Sequence, residues 1–421
     1  MKHIYATLVL ALMGVYNAMA YDTATAGTVY YGSSCAAYGL SDGTVAISTY
    51  YLSDGQTEVT FPATIEVWEN GAMTAEYEVS TVGYSGWDFW FDKSGSSGLT
   101  SITSIVIPEG VTTINGNFWG ATALTYLELP STLTEISKGY AFEGATALTK
   151  IVCYATTAPT LATNVFAWSV IENKTCTVAV PDGAAEAYNE ATWSYWTGFY
   201  AANLVHELSY PSITTAGYST YYNQYGYVMP EGVEGYIINW TYDGSANLVK
   251  VYDAGDEVYA GLALVWKSTE TLTETTWYTV EALASGGNTA TWPEDEEGNA
   301  YITVLNGSQT AATTTYWGEE SSDYYYYKLS YNSNGENLGW YWGSETGDAF
   351  TSAAHKVWLF VAKNSDARSF ISMSDEGETG ISSPVVTSPA EEGLRDGKYL
   401  ENGGIVVVKD GVKYNVNGQR K

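Results

Sequence analysis

The sequence contains Phe118-Trp119-Gly120-Ala121-Thr122-Ala123-Leu124-Thr125, which returns further along the chain as Phe142-Glu143-Gly144-Ala145-Thr146-Ala147-Leu148-Thr149. Six consecutive residues are identical in the two copies. Another phenylalanine, Phe166, follows Phe142 at the same interval that separates Phe142 from Phe118. A fixed period of about 20–50 residues is typical of solenoids, in which each repeat forms one coil that stacks on its neighbours. We therefore predict a solenoid around these residues.

Each coil is predicted to contribute one strand to a parallel sheet, because apolar residues alternate along short runs as side chains do along a strand. The inward-facing pairs are Ile105 with Ile107, Leu127 with Leu129, Ile151 with Cys153, and Val178 with Val180. The residues predicted to face outward are Ser104, Val106, Tyr126, Glu128, Lys150, Val152, Thr177 and Ala179. The return path of each coil should supply the opposite wall of the core, so neighbouring coils must stack to bury it.

These residues resemble the BspA-like leucine-rich repeats of bacterial surface proteins. The match runs from Ile105 to Leu124 and from Leu127 to Leu148, and residues 151–193 resemble the terminal coil of that family. The chain departs from the family pattern in lacking glycine directly after Ile114 and Ile136. The resemblance implies a leucine-rich repeat solenoid displayed on a bacterial surface.

The N-terminal segment 1–20 is predicted to be a cleavable secretory signal. A basic start at Lys2 precedes an apolar run from Ile4 to Val15, and the small residues Ala18 and Ala20 follow. The run is shorter than the roughly 20 residues that a membrane-spanning helix needs. We therefore expect a secreted or cell-surface protein on the extracellular face of a bacterium, without a membrane-spanning segment.

Composition restricts the class of partner. The formal net charge is −30, and the chain contains 37 Tyr, 15 Trp and 42 Gly. Such an acidic surface repels nucleic acid, and the many aromatic residues favour an exported β-rich fold over a disordered acidic chain. We expect a protein ligand or a surface glycan as partner, and no nucleic acid.

The three cysteines, Cys35, Cys153 and Cys176, cannot all pair within one molecule. Export favours a disulfide between Cys153 and Cys176. The repeat register opposes it, because it places Cys176 four strand residues, about 13 Å, from the position level with Cys153. A disulfide needs Cα atoms within roughly 7 Å. We prefer two buried thiols.

Elements before the first full coil are predicted to cap the solenoid. Runs at 28–31 and 44–48 are separated by turn-forming residues and are interpreted as β-hairpins, and residues 58–62 as an early rung. Runs at 65–68 and 75–79 flank the turn Glu69-Asn70-Gly71, which predicts a hairpin that interrupts the solenoid.

The remaining chain divides by composition. A helix from Ala184 to Thr192, the only convincing one, should close the solenoid. Strand-length runs near residues 236, 248–252, 261–265, 277–280, 301–305, 324–329 and 356–361 predict a β-sandwich, which resembles domains that follow repeats in the same class of surface proteins. Residues 405–408 and 413–416 are predicted to form a hairpin through Asp410-Gly411. Residues 404–421 either resemble the C-terminal tails of that class, some of which are sorting signals, or are the last strand pair of the β domain.

The predicted fold class is mainly β, with five segments. They are a signal peptide (1–20), a leucine-rich-repeat solenoid with an N-terminal β cap (21–203), a β-sandwich-like domain (204–375), a linker (376–395) and a C-terminal tail (396–421).

No motif in the sequence predicts catalysis, so we expect a non-enzymatic protein with no catalytic residues, no cofactor and no metal. His206 and His355 lie beside no nucleophile motif. A glycosidase pair at Asp88 and Asp92, among aromatic residues, competes with the preferred interpretation of a coil return with a buried aromatic core. A calcium loop at residues 295–299 competes with a solvated turn.

Two functional hypotheses remain. The first is a binding or adhesion module for protein ligands that uses the outer sheet face, with Tyr126, Glu128, Lys150 and Val152 as candidate contacts. The second is a glycan-binding, or more weakly glycan-degrading, protein that uses the aromatic-rich second domain through Trp340 and Trp342. Each set has a plainer alternative, since the first residues can be ordinary solvated sheet residues and the tryptophans can be core residues.

Overall fold

The computed structural model describes residues 21–84, 90–92, 99–173, 175–190, 193, 205–240, 246–283, 289–295, 298–301, 303–311, 324–331, 338–363, 369–374, 397–401, 404–409 and 412–415. The fold is mainly β, as predicted, and the chain divides into two units, Met1–Ser209 and Tyr210–Lys421. The predicted signal (1–20) and linker (376–395) lie outside the described residues. The five predicted segment boundaries stay predictions.

The first unit consists of short strands joined by turns. Its strands are β1 (Val29–Tyr31), β2 (Cys35–Gly39), β3 (Val45–Tyr51), β4 (Glu58–Thr60), β5 (Thr64–Glu69), β6 (Ala72–Val82), β7 (Trp90–Asp92), β8 (Ser104–Val106), β9 (Thr113–Ile114), β10 (Tyr126–Leu129), β11 (Glu135–Ile136), β12 (Lys150–Cys153), β13 (Thr160–Leu161), β14 (Thr177–Pro181) and β15 (Val205–Ser209). Its described helices are a 3₁₀ turn (Leu99–Ser101), α1 (Trp168–Glu172) and α2 (Ala185–Glu190).

One wall of the solenoid is the parallel sheet β4-β8-β10-β12-β14-β15. Leu127 lies opposite Ile105 on one side and Ile151 on the other, as the repeat spacing predicts. Leu127 and Leu129 are fully buried. The predicted coil register and the shared apolar interior are therefore confirmed.

The return path forms the opposite wall, where β6, β9, β11 and β13 pair in parallel. Phenylalanines from successive coils form a continuous column between the walls. The ring of Phe142 lies 4.7 Å from Phe118 and 5.8 Å from Phe166, nearly parallel to both. Trp193 ends the column 5.6 Å from Phe166. Stacked rings of this kind add to the stability that burial provides.

Threonine side chains connect the coils at the entry to each strand. The hydroxyl of Thr125 donates to the carbonyl of Thr103 at 3.0 Å, and that of Thr149 donates to Thr125 at the same distance. Thr134 and Thr112 repeat the arrangement on the return path at 2.9 Å. The coils that contain Thr103, Thr125 and Thr149 are therefore joined by the same type of side-chain hydrogen bond.

The N-terminal cap differs from the prediction in one strand. The runs predicted as a hairpin, β1 and β3, do not pair with each other, because β2 lies between them and pairs antiparallel with both. The predicted hairpin of β5 and β6 is present, and its turn residues Asn70 and Gly71 have φ of 51° and 80°. It does not simply interrupt the solenoid, since the end of β6 pairs in parallel with β9.

The C-terminal end of the solenoid is closed by α2 and Trp193. The predicted helix is described from Ala185 to Glu190, and α1 is a second helix that the sequence patterns missed. The Tyr188 hydroxyl donates to the Ala155 carbonyl at 2.9 Å, and the Trp193 indole N–H donates to the Pro159 carbonyl at 2.8 Å. Both side chains are fully buried, so they close the core with their polar groups satisfied.

In the described part of the second unit, the regular secondary structure is all β-strand. The strands are β16 (Ser212–Ile213), β17 (Tyr218–Tyr221), β18 (Tyr227–Val228), β19 (Val233–Trp240), β20 (Ala246–Tyr252), β21 (Glu257–Val258), β22 (Leu264–Ser268), β23 (Thr276–Trp277), β24 (Val280–Glu281), β25 (Leu305–Gly307), β26 (Tyr324–Tyr331), β27 (Leu338–Trp342), β28 (Val357–Ala362), β29 (Phe370–Ser374), β30 (Gly397–Glu401), β31 (Gly404–Lys409) and β32 (Val412–Asn415).

Nine of these strands form one hydrogen-bonded sheet in the order β17-β22-β19-β20-β29-β27-β26-β28-β25. A β-sandwich would divide them into two sheets, whereas here β20 and β29 pair in parallel and join the halves. Residues of both halves, such as Ile238 and Leu359, share one apolar core. The start of β22 and of β25 lies later than predicted, and the run at 277–280 contains parts of two short strands.

The tail forms a three-stranded antiparallel sheet, in which β31 pairs with β30 and β32. The predicted hairpin strands β31 and β32 are present, and β30 adds a third strand. The turn residues Asp410 and Gly411 lie outside the described residues. No helix in the described part of the chain has both the length and the apolar character to cross a bilayer.

Candidate functional site

The candidate binding surface is the outer face of the parallel sheet in the first unit. Strand register arranges its residues in two rows that run across the coils. The first row is Glu58, Ser104, Tyr126, Lys150 and Thr177, and the second is Thr60, Val106, Glu128, Val152 and Ala179. Neighbouring strands lie about 4.8 Å apart, so residues that follow each other in one row are adjacent on this face.

Three of the predicted contact residues lie together in the middle of this face. The Tyr126 hydroxyl donates a 2.6 Å hydrogen bond to Oε2 of Glu128, two residues along the same strand. Lys150 lies directly opposite Tyr126 on the next strand. All three side chains are half-buried. The group, which we call the central trio, presents an aromatic ring, a carboxylate and an amine on adjacent rungs.

Val152 was predicted as a fourth contact residue, and this prediction is wrong. Its exposed fraction is 7%, and that of its row neighbour Ala179 is 0%. Both lie on the outward side of their strands, as alternation requires. Outward position on a strand therefore does not by itself make a short side chain accessible.

The two predicted glycan-contact residues of the second unit differ in exposure, since Trp340 is buried and Trp342 is half-buried. Trp340 is 0% exposed in the shared core, so its prediction as a contact residue is wrong. Trp342, two residues along the same strand, packs against the same core and stacks on Tyr325 with ring centroids 5.0 Å apart. An added Cβ on Gly347 would meet the Trp342 ring at 2.8 Å, so the glycine backbone covers this indole.

Several exposed aromatic residues escaped the prediction. Trp119 is 61% exposed, Trp168 62% and Trp68 57%. A signal was present for the first of these, because Trp119 is replaced by Glu143 in the otherwise matching second copy. A position that accepts either tryptophan or glutamate faces solvent.

The other residues considered for catalysis or metal binding either make structural contacts or lie outside the described residues. His355 has a φ of 57°, its Nδ1 lies 2.7 Å from the Tyr222 carbonyl oxygen, and its ring stacks on Tyr221. At the candidate calcium loop, Asn299 N–H donates to Oδ1 of Asp295 at 2.7 Å, which is a turn contact. Asp88, the side chain of Asp92, Glu296 and Glu297 lie outside the described residues.

The three cysteines are free thiols, as preferred, and all lie buried in the first unit. Burial raises the pKa of Cys35 and of Cys153 to about 11 and that of Cys176 to about 12. Desolvation is the largest cause in each case, because it disfavours the thiolate. No group of three or more metal-ligating side chains occurs among the described residues.

The raised thiol pKa values predict an alkaline loss of stability in the first unit. The thiols remain protonated in the folded state but ionise near pH 8.5 when unfolded, so their contribution is complete below that pH and falls as pH rises toward 11. We expect the urea midpoint of the first unit to fall between pH 8 and pH 10.

Urea unfolding followed by circular dichroism at several pH values measures the slope of the urea midpoint against pH. Tyr188 also has a raised pKa through burial, so the range stays below pH 10. The variant with Cys35→Ala, Cys153→Ala and Cys176→Ala should show a flatter slope, whatever its absolute stability. An equal slope in the variant would contradict the assignment to the thiols.

A family model described as a BspA type leucine rich repeat region matches residues 93–188, with six copies. Similar crystal structures include a leucine-rich repeat protein from Bacteroides ovatus, 19% identical over 39% of this chain and 38% of that one, with a TM-score of 0.23. A leucine-rich cell surface protein from Faecalibacterium prausnitzii is 17% identical over 38% of this chain and 46% of that one, with a TM-score of 0.22. This chain therefore covers less than half the length of each of these two proteins. No curated protein matches the sequence.

Proposed function

We propose that this chain, whose residues 93–188 form a BspA-type leucine-rich repeat region, is a protein-binding or adhesion module exposed at a bacterial surface. The predicted signal at residues 1–20 supports export. Stacked coils create an extended sheet face, which is how repeat proteins bind their partners. We propose binding without catalysis.

The observation that carries this proposal is the central trio on the outer face. The hydrogen bond between Tyr126 and Glu128 holds the tyrosine ring in place before any partner arrives. Tyrosine is enriched among residues that dominate binding energy, and a fixed ring loses little conformational entropy on binding. Lys150 and Glu128 offer charges of both signs beside that ring, which favours a protein partner with complementary charges.

The net charge of −30 supports the same class of partner. It opposes close approach of nucleic acid and of anionic lipid, because the long-range field is repulsive. A protein surface with basic residues around an apolar contact is the best match.

Binding of the intact chain to a panel of purified extracellular matrix and bacterial surface proteins tests the proposal. Biolayer interferometry with the immobilised chain should find at least one partner. The triple variant Tyr126→Ala, Glu128→Ala and Lys150→Ala should lower the affinity for that partner by about tenfold or more.

A matched control uses another exposed aromatic residue of the same unit. Trp119→Ala removes a side chain that is 61% exposed but is not on the outer sheet face, and it should leave the affinity within about twofold. Equal losses in the trio variant and in Trp119→Ala would place the contact elsewhere. Absence of any partner in the panel would count against the proposed protein ligand.

A further inference from the structure

We propose that the second unit binds a neutral oligosaccharide in a cleft beside Trp292. This inference is independent of the protein-binding face, since it concerns other residues and another class of ligand. The cleft has a volume of about 520 Å³ and lies between β20 with β21 and the segment 289–294. This volume is within the range of about 300–1,000 Å³ that is usual for small-ligand sites.

An aromatic platform forms one side of the cleft. Trp292 is half-buried, and its indole N–H donates to the Tyr301 carbonyl at 2.8 Å. The ring of Tyr259 packs edge-on against the indole, with centroids 5.5 Å apart. Two contacts therefore fix the ring before a ligand binds, which lowers the entropic cost of binding. A fixed indole face is suited to the apolar face of a pyranose ring.

Polar groups surround this platform. Oε2 of Glu257 accepts hydrogen bonds from the N–H of Thr289 at 3.1 Å and from its hydroxyl at 2.6 Å. These two hydrogen bonds lower the pKa of Glu257, so the carboxylate is ionised at neutral pH. The bonds also tie segment 289–294 to β21. Thr291 adds a hydroxyl to the lining. Carboxylate and hydroxyl oxygens beside an aromatic face are complementary to the hydroxyls of a sugar.

Charge decides which sugars fit. The lining contains one cation, Lys250, against three carboxylates, Asp256, Glu257 and Glu294. Lys250 is itself paired with Asp253 at 2.9 Å and Glu234 at 3.4 Å. The net negative lining disfavours uronic and sialic acids, because like charges would have to be brought together. The cleft therefore favours neutral sugars.

Titration of the intact protein with neutral tetrasaccharides tests the proposal. The probes are maltotetraose, cellotetraose, xylotetraose, mannotetraose and N-acetylchitotetraose, with tetragalacturonic acid as the acidic comparison. Isothermal titration calorimetry should detect at least one neutral probe at a dissociation constant of about 1 mM or below, and weaker or no binding of the acidic probe. Failure of every neutral probe would overturn the proposal without affecting the protein-binding face.

Variants locate the binding in the cleft. Trp292→Ala should lower the affinity for the bound probe by about tenfold or more. Trp292→Phe should lower the affinity less, because phenylalanine keeps an aromatic face at this position. Trp277→Ala is the matched control, since Trp277 is a 45% exposed tryptophan of the same unit outside the cleft lining. It should leave the affinity unchanged.

A second variant, which blocks the cleft, tests the assignment even if Trp292→Ala does not fold. Thr291 is exposed at the cleft, so Thr291→Trp should fill the space while keeping the platform, and it should abolish binding. Unchanged affinity in Thr291→Trp, or an equal loss in Trp277→Ala, would show that sugar binds elsewhere and would overturn the assignment.

Discussion

Replacing Phe142 with alanine is expected to remove about 3–5 kcal/mol from the free energy of unfolding of the first unit. Phe142 is 0% exposed and stacks between Phe118 and Phe166. Its removal costs the transfer free energy of the ring and leaves a cavity in the middle of the aromatic column. The stacked walls of the solenoid limit how far neighbours can collapse into that space.

The buried cysteines provide a measurement that is specific to this unit. Cys35, Cys153 and Cys176 are all buried in the first unit, so thiol labelling in urea reports its unfolding and not that of the second unit. The labelling midpoint should fall markedly for Phe142→Ala and less for Phe142→Leu.

Trp119→Ala, at an exposed position, serves as the control for this measurement and should stay within about 0.5 kcal/mol. A loss below about 1 kcal/mol for Phe142→Ala would mean that the column is not the main support of the core.

Gly144→Ala is expected to destabilise the first unit by about 2–3 kcal/mol, although it adds a single methyl group. A Cβ at this position would overlap the carbonyl of Trp119 in the preceding coil. A backbone oxygen cannot move away as a flexible side chain can. The coils must therefore separate locally, which weakens the hydrogen bonds and ring contacts that hold them together.

The repeat itself offers the control for this variant. Gly120 occupies the equivalent position one coil earlier, and a Cβ there would meet the nearest atoms of Leu99 at 3.4 Å, an ordinary contact. Gly120→Ala should change stability by about 1 kcal/mol or less in either direction. Equal thiol-labelling midpoints for the two variants would contradict the overlap argument.

The solenoid could be predicted because its signal is periodic. The shift that superposes Phe118 on Phe142 also aligns Leu127 with Ile151, and the strand register pairs the same two residues. The recurrence of Phe118, Phe142 and Phe166 at one interval was visible in the sequence, and the structure shows that these rings stack in a column. In stacked repeats, residues at equivalent positions of successive coils lie next to each other, so an alignment of the repeats predicts contacts.

Other elements lacked such a signal. The strand Cys35–Gly39 contains two alanines and a glycine, which are poor strand formers, and pairing on both sides overrides that preference. The helix Trp168–Glu172 is too short for a periodic pattern. Tertiary context decided both.

The candidate site was predictable in position but not in accessibility. Alternation placed Tyr126, Glu128 and Lys150 on one face, and the strand register agrees. Alternation could not show that Val152 is buried on the outward side of its strand, or that Trp340 belongs to a shared core. Accessibility depends on the sizes of side chains on adjacent strands, which a single strand does not encode.

The two identical hexapeptides have a consequence for the evolution of length. Excision of residues 125–148 would join Leu124 to Thr149, and the sequence around the join would be unchanged because threonine follows leucine in both copies. The Thr149 hydroxyl would then reach the Thr103 carbonyl that Thr125 now uses. The protein can therefore lose or duplicate a whole coil without a new junction, and its outer sheet face can lengthen or shorten by one strand at a time.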